Sequence, residues 1–272
     1  MNAHASLART ERAKPVHVGE HLRQWRQRRH LSQLDLALEA EISARHLSFV
    51  ETGRAAPSRD MVLRLAERLD VPLRERNVLL VAAGFAPAFP QRPLDDPALS
   101  AAREAINLVL RAHEPNPALA YDRHWNLVAA NRMVAPILEG IPQRLLGQPL
   151  NILRLAFHPE GLAGRTVNLA EWCGHLLERL HRQCEATADP ELLKLYQDLK
   201  SYSIPARSGP LAPDTVAVPF KLRHENEVLS FFSTTMVFGT PVDITLSELA
   251  LETFFPADEL TALWLKEMAG RL

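Results

Sequence analysis

The stretch from Leu31 to Arg54, LSQLDLALEAEISARHLSFVETGR, limits what this chain can fold into more than any other. Leu34, Leu36, Ala37 and Ala40 recur at helical spacing, and the pattern breaks at Glu41-Ile42. A second helical run begins behind Ser43, with Leu47 and Val50 on one stripe. Two short helices joined by a tight turn make a helix-turn-helix. At roughly 100° per residue, Arg45, Ser48, Phe49 and Thr52 gather on the face opposite Leu47. Arg45 and Ser48 can donate to base edges or phosphates, and Phe49 can lie against a thymine methyl.

These residues resemble the Xre, or phage-repressor, family of helix-turn-helix proteins. Its pattern S-Q-x-x-L-A, then S-x-x-x-[IL]-S-x-x-E-x-G-x-x-x-P, is met by Ser32, Gln33, Leu36, Ala37, Ser43, Leu47, Ser48, Glu51, Gly53 and Pro57. The resemblance runs from Val16 to Gly84 and implies a five-helix, lambda-repressor-like domain on double-stranded DNA. The residues it turns toward DNA are Gln33, Ser43, Ala44, Arg45, Ser48, Phe49, Thr52 and Arg54, with Gln33 on the phosphates. It also implies an internal pair between Arg26 and Glu51 that fixes the angle of the recognition helix. One departure is Glu41, where the family has glycine. A left-handed backbone there costs a non-glycine residue on the order of 1 kcal/mol.

With 272 residues the chain holds about two domains. The net charge of −1 hides a division, since residues 1–85 carry 14 Lys and Arg against 10 Asp and Glu, a net +4. The remainder carries 17 against 22, a net −5, so the basic half is the half with the helix-turn-helix. The sequence has no run of about 18 apolar residues and no apolar signal core, so no membrane partner and a cytoplasmic location are expected.

Residues 1–15, with Arg9, Arg12 and Lys14, read as a mobile basic arm, and residues 16–84 as the DNA-binding domain. Its first helix turns Val18, Leu22 and Trp25, or the neighbouring Arg26, inward. Residues 85–97 contain four prolines and read as a stiff linker before a second domain over 98–272. There an amphipathic helix at Ala98–His113 precedes short β runs at Ala118–Tyr121 and Trp125–Ala129, and Asn131 is placed to cap a short helix. Helices follow at Ile152–Phe157, Asn168–Glu185 and Pro190–Ser201. Three β runs, Val216–His224, Val228–Phe238 and Asp243–Phe254, come next, and a last helix starts at Pro256 with Leu260, Leu263, Trp264 and Met268.

Two strands, several helices, then three antiparallel strands is the order of a PAS-like sensor domain. The segments 117–122, 126–131 and 247–256 resemble the ligand-binding domain of MmyB-like transcription regulators. The chain therefore reads as multidomain α and α+β, the second domain a five-stranded antiparallel sheet with helices. The resemblance implies a fold that holds a small apolar molecule. The expected pocket, roughly 300 Å³ or more, is lined by Trp172, Leu176, Phe232, Met236, Arg154 and His158. No cofactor is expected beyond such a fatty-acid-like or other apolar molecule, and the partners are DNA and a second copy. The alternative is a ligand-free second domain serving protein interaction or dimerisation.

Metal and catalytic readings find little support. Cys173, His175, His181 and Cys184 share one helix, but His175 points away from the face of the two cysteines, so no metal site is expected. The thiols read as buried and free. No G-x-S-x-G, H-E-x-x-H, G-x-x-x-x-G-K or G-x-G-x-x-G occurs, so no catalytic residues are assigned.

Overall fold

Four of the five helices of the N-terminal part start on side-chain caps, and all five stop on one repeated backbone motif. The computed structural model describes residues 17–204 and 217–272, in two units that meet between Phe89 and Pro90. The basic arm expected over residues 1–15 lies outside the described residues.

The first unit contains α1 (Val18–Arg28), α2 (Gln33–Glu39), α3 (Ala44–Glu51), α4 (Arg59–Arg68) and α5 (Leu73–Ala82). The hydroxyls of Ser32, Ser43 and Ser58 accept from the N–H groups of Asp35, His46 and Met61, which fixes the starts of α2, α3 and α4. All five helices end with a left-handed residue, in turn His30, Glu41, Gly53, Asp70 and Gly84. The next N–H then reaches back five residues, from Leu31 to Arg26, Ile42 to Ala37, Arg54 to Phe49, Val71 to Ala66 and Phe85 to Leu80, at 2.8–3.1 Å. This Schellman geometry satisfies the last carbonyls and turns the chain sharply. Three of the five positions are not glycine, and Glu41 sits at φ 56°, so the strain anticipated from the sequence is present. Gly19 is needed for another reason: a Cβ there would lie 2.1 Å from the Val50 carbonyl oxygen, so only glycine lets α1 touch the backbone of α3.

The second unit holds α6 (Ser100–Ala112), β1 (Ala118–Tyr121), β2 (Leu127–Ala130), α7 (Val134–Leu138), α8 (Ile152–Phe157), α9 (Leu169–Thr187), α10 (Pro190–Lys200), β3 (Phe220–His224), β4 (Glu227–Val237), α11 (Ile244–Ser247), β5 (Ala250–Pro256) and α12 (Glu259–Arg271). The strands form one antiparallel sheet in the order β2-β1-β5-β4-β3. Its inner face, with Tyr121, Phe220, Leu222, Leu229 and Phe231, shares a core with Trp172, Leu176 and Leu180 of α9. Its outer face offers Ala118, Ala120 and Leu251 to Ile106 and Leu110 of α6.

Several sequence expectations are corrected. The stretch expected as a stiff linker is divided between the two units. Asn77 binds the backbone of Ala88 and Phe89 within the first unit, while Pro90 accepts from Ile244 N–H and Arg92 pairs with Asp243 at 3.0 Å within the second. Asn131 caps nothing, because its buried amide joins Ala118 N–H to the carbonyls of Leu110 and Asn116. The β run expected from Asp243 starts instead as α11, since Asp243 caps that turn through Thr245 N–H. Pro256 ends β5, Asp258 caps α12, and Leu260 and Leu263 face solvent while Thr261 and Leu265 are buried.

Glu41→Gly should raise the stability of the first unit by on the order of 1 kcal/mol, because glycine adopts this φ without strain. Chemical unfolding of the full chain would check it, with an upward shift of the first unit's transition as the expected outcome.

Candidate DNA-binding and ligand-binding sites

In α3, Leu47, Val50 and Glu51 are buried, and Arg45 is exposed on the other side. The Arg45 guanidinium lies 5.4 Å from the Phe49 ring centre, so two of the residues expected to meet DNA rest on each other. Ser48 and Phe49 are half-buried, and Ser43, Thr52 and Arg54 are exposed. Ser43 is committed to its helix as the cap, and the Thr52 hydroxyl donates to the Ser48 carbonyl at 2.7 Å. Ala44, at the first turn of α3, is half-buried.

The pair implied by the resemblance is present. Arg26 Nε and Nη2 donate to the two Glu51 oxygens at 2.6 and 2.9 Å, and Nη1 donates to the Leu31 carbonyl at 2.8 Å. The Glu51 side chain is 1% exposed and that of Arg26 11%. The hydrogen bond to Glu51 raises the Arg26 pKa despite burial. Gln33 Nε2 also donates to Glu51, at 2.7 Å. Gln33, expected on the phosphates, thus directs one of its two amide N–H groups inward to Glu51. No local pattern in the sequence marks Gln33 as this second donor.

In the second unit two apolar cavities, of about 90 and about 70 Å³, lie between the inner sheet face and the helices. Trp172 and Leu176 line the larger one, as expected. Leu119, Ile152, Leu162, Phe220 and Phe254 line both, so the two cavities are neighbours that share walls. Each is well below the roughly 300 Å³ anticipated, the usual lower size for ligand sites. Phe232 and Met236 are corrected: both are 40% exposed on the outer sheet face, because strand alternation turns Leu229 and Phe231 inward. Arg154 and His158 line neither cavity. Arg154 pairs with Asp198 at 2.7 Å on the surface, and His158 Nδ1 accepts from Glu160 N–H beside the Tyr202 ring.

The cavity has a polar wall that the sequence reading missed. Arg179 Nη1 donates to both oxygens of the buried Glu252 at 2.9 and 3.1 Å, and Nη2 donates to Thr235 Oγ1 at 2.7 Å and to the Tyr121 hydroxyl. The guanidinium also lies 4.7 Å from the Trp125 ring centre, and Trp125 stacks on Tyr121. Burial, reinforced by the Glu252 charge, pushes the Tyr121 pKa far up, so the phenol stays protonated. Trp125 holds φ at 66°, a left-handed conformation that is strained for a bulky residue.

Cys173 and Cys184 are buried and free, and burial pushes the Cys173 thiol up to about 12, which leaves it unreactive. His175 stacks on Trp172 and His181 on Tyr196. Among the described residues no three His, Cys, Asp or Glu side chains gather as metal ligands, and no helix is long and apolar enough to cross a membrane.

A helix-turn-helix unit followed by a sheet domain with an internal apolar site defines a DNA-binding transcription regulator. The model of the MmyB-like transcription regulator ligand binding domain matches residues 102–268, more than half the chain, and a helix-turn-helix model matches residues 22–76. The chain belongs to the MmyB-like transcription regulators. No curated protein matches it. A crystal structure of the clp gene regulator ClgR from Corynebacterium glutamicum is 24% identical over 36% of this chain and 90% of that one. Its TM-score of 0.22 lends no support to the fold.

Arg26→Met should destabilise the first unit by about 3 kcal/mol or more, since it leaves the Glu51 carboxylate buried without its main partner. Denaturant titration followed in the first unit checks this, and an unchanged midpoint would mean that Glu51 finds water instead.

Proposed function

We propose that this protein is a homodimeric, sequence-specific regulator that reads DNA with α3 and takes a small apolar ligand in its second domain. The observation that carries the DNA part is the exposed Arg45 resting on Phe49, on a helix whose other face is anchored by the buried Glu51. Arg45 and Ser48 then read base edges, Phe49 contacts a thymine methyl, and Ser43, Ala44, Thr52 and Arg54 follow the backbone. One recognition helix buries too little surface for regulatory affinity, so two copies bind half-sites about one helical turn apart. The ligand is an acyl chain or a similar apolar metabolite, held by Trp172, Leu176 and the side chains that line both cavities. Its entry changes the shape of the second domain and so biases the spacing of the recognition helices.

A second reading is favoured by the small cavity volumes: a second domain filled by its own side chains, working as a ligand-free interaction and dimerisation module.

Arg45→Ala should cost roughly 1–3 kcal/mol on the specific site and much less on random DNA. Fluorescence anisotropy with both DNAs measures this, and an equal loss on both would make Arg45 a phosphate contact. For the ligand, a panel of apolar metabolites should raise the melting temperature of the wild-type chain, and Leu176→Phe, which fills the cavity, should remove that rise. No rise in the wild type favours the second reading.

A further inference from the structure

Among the described residues, α6 is packed on one side only. Ile106 and Leu110 are buried on the outer sheet face, and Arg103 staples the start of the helix by donating to the carbonyls of Leu94 and Asp96. At roughly 100° per residue the opposite side presents Ala101, Ala105, Leu108 and Ala112 in a stripe about 60° wide. All four are exposed, Leu108 at 60%. Their spacing of four, three and four residues is that of the a and d positions along a coiled-coil seam.

The flanks of this stripe differ in chemistry. Glu104 and Arg111, one heptad apart, lie on one side, and neither has an ion pair or side-chain hydrogen bond among the described residues. Ala102 and Val109 lie on the other. In a parallel pair each charged flank would face the partner's apolar flank. In an antiparallel pair like flanks meet, so Glu104 of one copy faces Arg111 of the other, twice by symmetry, and Ala102 faces Val109. The same register sets Ala101 against Ala112 and Ala105 against Leu108 along the seam. Charge and apolar complementarity therefore select one orientation and one register. Around the helix, Phe232, Met236 and Phe255 remain exposed on the same side of the sheet, since Met236 pairs with the α6-covered Leu251 and Phe232 with Phe255. They widen the apolar face that a second copy meets.

We propose that α6 pairs antiparallel with α6 of a second copy, sealed by Leu108 and by two Glu104–Arg111 ion pairs. This rests on the homodimer reading above and assigns its surface and its orientation. Sedimentation equilibrium of the full chain tests it. The wild type should be a dimer at micromolar concentration, and Leu108→Glu should be a monomer. Glu104→Arg and Arg111→Glu should each weaken the dimer about tenfold by setting like charges opposite one another. Mixing those two single variants should restore wild-type affinity, because one copy then carries two arginines on the flank and the other two glutamates. The double variant should be restored as well. All these residues are exposed, so circular dichroism should match the wild type, and so should the unfolding midpoint once dilution has made the wild type monomeric. A wild-type dimer that Leu108→Glu and both charge variants leave intact overturns the α6 interface while keeping the homodimer. A monomeric wild type, with and without DNA, overturns both.

Discussion

The first unit depends on one buried carboxylate. Glu51, at the end of α3, receives donors from Arg26 of α1 and Gln33 of α2, and the remaining arm of Arg26 holds the Leu31 carbonyl in the turn between those helices. A lone buried carboxylate would cost several kcal/mol, so the site is stable only when all donors arrive together. α3 has eight residues, too few to be helical by itself. Its angle is therefore set by directional bonds as well as by Leu47 and Val50. The contact of α1 with the α3 backbone at Gly19 completes the seat, and the outward direction of Arg45 and Phe49 follows.

The second unit repeats this logic with different parts. Arg179 of α9 reaches Tyr121 of β1, Thr235 of β4 and Glu252 of β5, so one guanidinium ties the helix to three strands. Around it the packing is apolar and incomplete, and the cavities beside Trp172 and Leu176 are what remains. A buried polar network thus borders unfilled apolar space on one wall of the core.

The sequence showed most clearly what is local. Serine caps, helical stripes and turn positions lie within a few residues of one another, which is why α2 to α4 and the strain at Glu41 were readable. The Arg26–Glu51 pair was readable only through the motif that contains both. Arg179 and Glu252 lie 73 residues apart, and no local pattern joins them. Phe232 and Met236 were misplaced because β4 carries bulky apolar groups on both faces, so alternation alone does not say which face meets α9. Asn131 and Asp243 show the same limit: each has the side chain of a helix cap, but tertiary partners decided that only Asp243 acts as one.

In the proposed reading two copies of α3 meet DNA as a symmetric pair, which selection of binding sites from a random DNA pool by this chain would test. A symmetric pair should enrich an inverted repeat whose half-sites are centred about one helical turn apart. Enrichment of a single asymmetric half-site, or of no sequence at all, would contradict it.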